Sequence, residues 1–189
     1  DNYTIIPKLS LRFNPSDMKD HSDDERRINT SNIFDLNRFG IDDSFESGYS
    51  ATLGIDYNAK GLKDDNNYLE LKLATVVRDD FEKNIPTQTS LNKKNSNLFG
   101  SMDYKMSNLI NIEYDFAMDN KYENFEYNSF GVDLSLNNFV TKFNFLEENN
   151  KLGSANFLEN TTTYNFNNQN SLSFKTRRNR KINLTEYYD

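Results

Sequence analysis

The sequence lacks several residue types on which common classes of protein depend. Its 189 residues include no cysteine and no tryptophan, with only 7 glycines and 3 prolines. Without cysteine, the chain has no disulfide scaffold, no thiolate zinc site and no cysteine nucleophile. It also has no apolar run of about eighteen residues, the length that predicts a transmembrane helix.

The charge balance and the aromatic content narrow the choice further. The chain has 22 basic and 29 acidic side chains, a formal net charge of -7. This balance disfavours nucleic acid as the main partner, because phosphate binding needs a basic stripe. Hydrophobic residues make up only 35%, yet aromatic residues make up 14%. A low apolar total with many aromatics is typical of a wall with one apolar and one hydrated face.

Alternation of apolar and polar side chains is the main pattern in the sequence. In the clearest run, 109–118, apolar residues alternate with Asn111, Glu113 and Asp115. The parity of the run 125–136 slips near Asn128-Ser129, which predicts a β-bulge there. The sequence predicts an all-β fold, an antiparallel up-and-down meander without a confident helix. Ten strands are expected, at 3–13, 48–57, 68–77, 98–106, 109–118, 125–136, 139–145, 157–166, 171–178 and 182–188.

The predicted connections differ in length between the two ends of the strands. The links 14–44 and 79–97 are long and 148–156 is intermediate, whereas Ser107-Asn108 and Asn137-Asn138 are tight. Outer-membrane β-barrels have long extracellular loops, short periplasmic turns and an apolar band about 25 Å tall. Tilted strands of about ten residues span that height. We therefore expect part of a transmembrane barrel, with 14–44 and 79–97 as extracellular loops.

A soluble antiparallel β-sandwich remains the alternative architecture, because its strands also alternate. Charged residues in mid-strand fit a hydrated lumen and the open face of a sandwich equally well. The barrel additionally explains aromatic residues near strand ends, where girdles meet the lipid–water boundary. These girdle candidates are Tyr3, Phe13, Tyr57, Tyr104 and Phe125.

Few side chains form the patterns of catalysis or metal binding. The single histidine, His21, lies in the charged run 19–25. We interpret this run as a solvated loop rather than as part of a Ser–His–Asp triad. It lacks the glycine and the spacing of an EF-hand loop, and no glycine-rich phosphate loop is present. The sequence therefore predicts no enzyme, no metal site and no cofactor.

A basic cluster near the end of the chain has two interpretations. Lys175, Arg177, Arg178 and Arg180 lie within six residues of one another. At the loop end of a barrel hairpin, such a cluster would meet an anionic lipid headgroup. A solvated hairpin tip explains the same residues more simply.

The most specific motif precedes the second predicted strand. It consists of Asn37, Arg38, Phe39, Asp42, Glu46 and Gly48. This pattern resembles the family of LPS-assembly proteins, the LptD family, whose members carry Asn-Arg-Phe, then Asp, then Glu-x-Gly leading into a barrel strand. A second segment, 172–179 followed by Glu186-Tyr187-Tyr188, resembles a late strand pair of the same barrel.

The resemblance implies transport without covalent chemistry. Residues 1–189 would be a partial barrel domain, without a second domain, of a bacterial outer-membrane protein that inserts lipopolysaccharide (LPS) into the outer leaflet. The implied partners are LPS, an LptE-like plug lipoprotein, a periplasmic LPS bridge and outer-membrane lipid. The motif residues would organise the loop 14–44, which would fold into the lumen or cover it. Two alternative functions remain: another outer-membrane barrel, such as a porin or receptor, and a soluble β-sandwich binding module.

Overall fold

A computed structural model describes residues 2–61, 67–150, 153–167 and 169–188. Within these residues, ten antiparallel strands form one sheet in chain order, which confirms the predicted all-β meander. The sheet is not closed, because β1 and β10 form its two edges. The strands are β1 (Asn2–Asn14), β2 (Gly48–Lys60), β3 (Tyr68–Arg78), β4 (Leu98–Ser107), β5 (Ile110–Met118), β6 (Phe125–Leu136), β7 (Phe139–Asn150), β8 (Gly153–Asn165), β9 (Ser171–Asn179) and β10 (Leu184–Tyr188).

Helical structure is confined to a short turn in the described part of the chain. This 3-10 helix, Thr87–Thr89, lies in the link between β3 and β4. No helix in the described residues is long and apolar enough to cross a membrane.

The predicted link 148–156 is wrong, because strands occupy most of it. β7 continues to Asn150 and β8 already begins at Gly153. Backbone pairing continues through this polar stretch, as between Glu148 and Ala155. The apolar alternation ends before the backbone hydrogen bonding does, so the sequence pattern alone underestimated the lengths of both strands.

The bulge in β6 lies two residues before its predicted position. Tyr127 pairs with Ala117 and Phe125 with Met118, so Glu126 is the extra residue. Tyr127 lies on the polar face, where its ring contacts the Arg27 guanidinium at 4.4 Å. The sequence pattern assigned this aromatic residue to the apolar face, so the predicted position of the bulge was two residues too late.

The apolar face of the sheet is the exposed one. Along β2, Leu53 and Ile55 are 46% and 43% exposed, whereas Thr52, on the opposite, polar face, is fully buried. Two stacked aromatic pairs lie near the two ends of the β1–β2 strand pair, Tyr3 with Tyr57 and Phe13 with Tyr49, whose ring centres are 6.2 Å and 4.4 Å apart. This burial is the reverse of that in a soluble sheet, whose apolar face is covered.

Two long loops, 15–47 and 79–97, fold back over the polar face and form the main core with it. Backbone hydrogen bonds join them to each other, from His21 to the Asn84 carbonyl at 2.9 Å and from Thr87 to the Ser22 carbonyl at 3.1 Å. The loops therefore cover the face that a barrel would turn toward its lumen. The buried apolar residues are Met18, Ile28, Ile33, Phe39, Ile41, Ile85 and Leu91 from the loops, and Ala74, Val76, Phe99 and Ala117 from the strands.

Candidate functional site

Glu46 pairs with two arginines in the buried space between the first loop and the sheet. Arg38 donates to both carboxylate oxygens, from Nη2 at 2.5 Å and from Nε at 2.8 Å, and Arg78 donates to the same carboxylate. The side chains of Arg38 and Arg78 are 0% and 1% exposed, and that of Glu46 is 7% exposed. Paired N–H donors on one carboxylate form a strong and directional ionic contact.

This ionic cluster joins three parts of the chain. Arg38 belongs to the first loop, Glu46 precedes β2, and Arg78 is the last residue of β3. Arg38 also donates through Nη1 to the Thr52 hydroxyl at 3.1 Å and to the Ile33 carbonyl at 3.4 Å. The cluster therefore connects the loop to the first strands of the sheet by hydrogen bonds and ion pairs.

A third arginine adds positive charge to this region. Arg12 donates to the Thr52 hydroxyl at 3.0 Å and to the Asp35 carbonyl at 2.5 Å. Three guanidinium groups thus converge near the buried carboxylate of Glu46. Without that carboxylate, the arginines would repel one another in a poorly hydrated space.

Asn37 and Phe39 shape the loop on either side of Arg38. The Asn37 side chain donates to the Ile41 carbonyl at 2.9 Å and accepts from the Ile41 amide at 3.0 Å, which closes a tight turn. Phe39 is buried in the core. This turn directs Arg38 toward Glu46 while it places Phe39 among the apolar side chains.

The last two motif residues differ in their surroundings. Gly48 has a φ of +80°, and a Cβ there would lie 3.0 Å from an Arg78 guanidinium nitrogen. Glycine suits both the backbone conformation and this close approach. Asp42 is exposed, and among the described residues its side chain has no hydrogen bond or ion pair. The role of the six motif residues as loop organisers remains a prediction.

Arg12, Thr52 and Arg78 belong to the same site but were not singled out in the sequence. Each lies on the polar parity of its strand, as many other polar residues do. No spacing or motif distinguishes these three residues from the other polar residues, because the loop that they contact is distant in sequence. A basic residue at the end of a strand, such as Arg78, is the only signal that the sequence offered.

His21 bridges two carboxylates and is not a solvated side chain. Its Nδ1 lies 3.0 Å from Asp24 and its Nε2 lies 3.1 Å from Asp43, and the side chain is 15% exposed. The ring donates to both carboxylates only when both nitrogens carry protons. Lys19 also pairs with Asp43, and this hydrogen bond lowers the pKa of Asp43 below its ordinary value. Among the described residues, no group of three potential ligands is arranged to hold a metal ion.

A cavity of about 520 Å³ remains between the loops and the polar face. Arg27 crosses it from the first loop and pairs with Glu148 of β7 at 2.6 Å. Asn97, at the end of the second loop, donates to the Glu126 carboxylate at 2.7 Å. The walls combine aromatic, amide and charged side chains: Glu25, Arg26, Arg27, Ile28, Gln88, Asn97, Phe99, Ala117, Glu126, Tyr127, Glu148, Ala155 and Phe157.

The basic cluster near the end of the chain divides between the two faces of the sheet. Lys175 and Arg177 lie on the polar face, where Lys175 pairs with Glu159 at 3.3 Å and Arg177 lies 4.0 Å from the centre of the Phe157 ring. Both are half-buried. The predicted contact of these residues with a lipid headgroup stays a prediction. The four basic residues of the cluster do not form one continuous surface.

The other two residues of the cluster lie on the apolar side. Arg178 pairs in register with Leu158, whose side chain is on the exposed apolar face. Arg180, in the turn after β9, lies 5.5 Å from the centre of the Phe145 ring. Both arginines are exposed.

A family model described as LPS transport system D, LptD, matches residues 4–181. The chain belongs to the LptD family. The match covers β1 to β9 almost completely and includes the Arg38–Glu46 pair and both long loops. A search among curated proteins found no match for the chain.

Family membership gives the function at the level of the family. This chain is a segment of an outer-membrane protein of LPS transport and assembly, and LPS is the substrate of the Lpt complex to which LptD proteins belong. The ten-stranded meander fits the barrel of such a protein.

Proposed function

We propose that this LptD segment is a stretch of barrel wall in the bacterial outer membrane, whose two long loops are extracellular and cover the lumen. The observation that carries this proposal is the reversed burial of the sheet. The polar face lies under the loops, whereas Leu9 and Leu11 of β1 are 64% and 74% exposed on the other face. An apolar outer surface of this kind is stable in lipid and costly in water.

The Arg38–Glu46–Arg78 cluster holds the first loop inside the wall. A long loop that extended into solvent would leave its apolar residues, such as Ile33 and Phe39, exposed to water. The buried ionic contact fixes the position of the loop, while the apolar contacts supply much of the stability. The motif residues Asn37 and Gly48 belong to the same unit and shape the chain on both sides of this contact.

The space left beneath the loops suits two partners implied by the family. The cavity near Arg27, Tyr127 and Glu148 presents hydrogen-bonding groups to the interior. Such a surface fits either the sugar-rich headgroup of LPS or a side of an LptE-like plug lipoprotein. LPS would arrive from a periplasmic bridge that contacts another part of the parent protein, and no covalent bond would be made or broken.

Cysteine labelling of intact cells tests the orientation of the wall. Leu36→Cys in the first loop and Leu109→Cys in the tight β4–β5 turn introduce thiols into a segment that has no cysteine of its own. Leu36 is 81% and Leu109 is 48% exposed. Each substitution is made in the full-length protein, and labelling with a membrane-impermeant maleimide is compared with that of the unsubstituted parent.

We expect Leu36→Cys to be labelled in intact cells and Leu109→Cys only after the outer membrane is permeabilised. Long loops of such barrels face outward and short turns face the periplasm. Labelling of both positions in intact cells, or of neither position after permeabilisation, would contradict the proposed orientation.

A further inference from the structure

Arg178 is the exception in the placement of basic side chains along β1 to β9. The register puts every other lysine and arginine of these strands on the polar face: Lys8, Arg12, Lys60, Lys72, Arg78, Lys105, Lys142, Lys175 and Arg177. Arg178 instead shares the apolar face with Leu158. A charge on a lipid-facing wall destabilises the protein most at the bilayer midplane and little near the interface.

The height of Arg178 on the wall matches the edge of the apolar face. Its row across the neighbouring strands is apolar and consists of Phe130, Phe145 and Leu158. The next row toward the loop end is polar and consists of Asn128, Glu147 and Asn156. Arg178 therefore lies where lipid headgroups would begin, at the end of the strands that carries the long loops.

The side chain of Arg180, in the turn after β9, lies at the same edge of the apolar face as Arg178. Its guanidinium lies 5.5 Å from the centre of the Phe145 ring, while Arg178 donates to the side-chain oxygen of Asn183. Leu158, Arg178, Arg180 and Asn183 line a shallow cavity of about 210 Å³. The nearby carboxylate of Glu147 accepts a hydrogen bond from Asn156 at 3.3 Å.

We infer that Arg178 and Arg180 form a site for a phosphate group of LPS that lies against the outer surface of the wall. This inference rests on the proposed function, which places the loop end of the strands at the outer leaflet. It adds a contact on the lipid side, separate from the covered polar face. The ring of Phe145 and the side chain of Leu158 would contact the acyl chains below the phosphate.

The chemistry of the two arginines favours a phosphate monoester. Guanidinium groups bind phosphate through paired N–H donors, and two of them match the nearly double negative charge of a monoester. The phosphodiester of an ordinary phospholipid carries a single negative charge, which matches the positive charge of one arginine rather than two. LPS phosphate is therefore the ligand to which this site is matched.

Photo-crosslinking at the cavity tests the inference in the full-length protein. Leu158 is replaced by p-benzoylphenylalanine, and LPS adducts are measured in outer membranes with the unsubstituted arginines and with R178Q/R180Q. The matched control is K175Q/R177Q, which removes the same amount of charge from the polar face of β9. We expect R178Q/R180Q to lower the adduct yield about tenfold, since each basic residue near a membrane surface contributes a severalfold change in affinity, and the control to leave it nearly unchanged.

Further crosslinking experiments distinguish between the possible ligands. In proteoliposomes, LPS without its lipid A phosphates should crosslink as weakly as the double variant does, and millimolar inorganic phosphate should not prevent crosslinking of intact LPS. Equal yields for R178Q/R180Q and the parent, an equal loss in K175Q/R177Q, equal capture of the dephosphorylated lipid, or adducts with phospholipid alone would each overturn the inference. Delivery of LPS to the cell surface, measured on the same strains, reports separately on the proposed function.

Discussion

Glu46 is the residue whose loss should most weaken the attachment of the first loop. Replacing it by Gln leaves Arg38 and Arg78 buried without a counter-charge, and removing one partner of a buried ion pair costs about 3–5 kcal/mol. We expect E46Q in the full-length protein to raise amide hydrogen exchange in the loop 15–47 by at least about tenfold. Hydrogen-exchange mass spectrometry of the detergent-solubilised protein measures this change.

Two variants provide the comparison for E46Q. E123Q makes the same chemical change in an exposed position of the link between β5 and β6, and its exchange should match that of the parent. R38M should raise loop exchange less than E46Q does, because Glu46 keeps its contact with Arg78. An exchange rate in E46Q no higher than in E123Q would show that the ionic cluster does not hold the loop.

At this scale, the sequence predicted one half of the cluster and missed the other. Arg38 and Glu46 lie eight positions apart within a recognisable motif, and the structure brings them together. Arg78 and Arg12 come from strands whose polar residues all look alike in the sequence. Their part in the site depends on how the loop folds over the sheet, which no local pattern records.

At the scale of elements, the contact between the first loop and β2 depends on Gly54. A Cβ on Gly54 would lie 2.6 Å from the ring of Phe34 and 3.0 Å from the Leu73 carbonyl oxygen. Gly54→Ala should therefore displace Phe34 and loosen the loop, at a cost of about 1–3 kcal/mol for overpacking. Protease sensitivity of the loop at Arg26 and Arg27 in intact cells measures the effect.

Gly131 supplies the matched control on the same face of the sheet. A Cβ there would meet only the end of the Asn144 side chain, at 3.3 Å, with the next atom at 3.8 Å. Gly131→Ala should leave the protease sensitivity of the loop unchanged. Equal cleavage in both alanine variants, whether high or low, would argue against a specific role of Gly54 in loop packing.

The contact of Asp43 with Lys19 and His21 should persist in mild acid. The hydrogen bond from Lys19 lowers the pKa of Asp43 in the folded protein. The contribution of the ionised Asp43 carboxylate to loop stability is therefore complete above the ordinary Asp pKa of about 3.9, and it is lost as the pH falls through the lowered pKa of the folded protein. Exchange in 17–24, corrected for its intrinsic pH dependence, should be no faster at about pH 5 than at about pH 7.

Asp43→Asn provides the control for this pH dependence. It removes the titrating group and weakens both contacts, so exchange in 17–24 should be faster than in the parent at either pH. Faster exchange in the parent at about pH 5 than at about pH 7 would show that another group controls this part of the loop.

The strands were predictable from the sequence because each repeats the same two-residue alternation, and the loops were not. All ten strands lie near their predicted positions, with the largest extensions in the polar ends of β7 and β8. The buried loop residues, such as Met18, Ile28 and Ile33, follow no period. They find their partners on distant strands, so their burial becomes visible only in three dimensions.

At the scale of the whole molecule, the reversed burial of the sheet distinguishes a membrane wall from a soluble sandwich, and adjacent residues of β7 test it. Phe143 lies in the middle of the apolar face and is 41% exposed, whereas Asn144 lies on the polar face. A lysine on the lipid face near the midplane costs about 2–4 kcal/mol, while a lumen position accepts one. Phe143→Lys should therefore reduce the amount of folded full-length protein in outer membranes severalfold, and Asn144→Lys should not. Heat-modifiable mobility on gels measures the folded fraction; equal tolerance of both lysines would mean that the apolar face does not contact lipid.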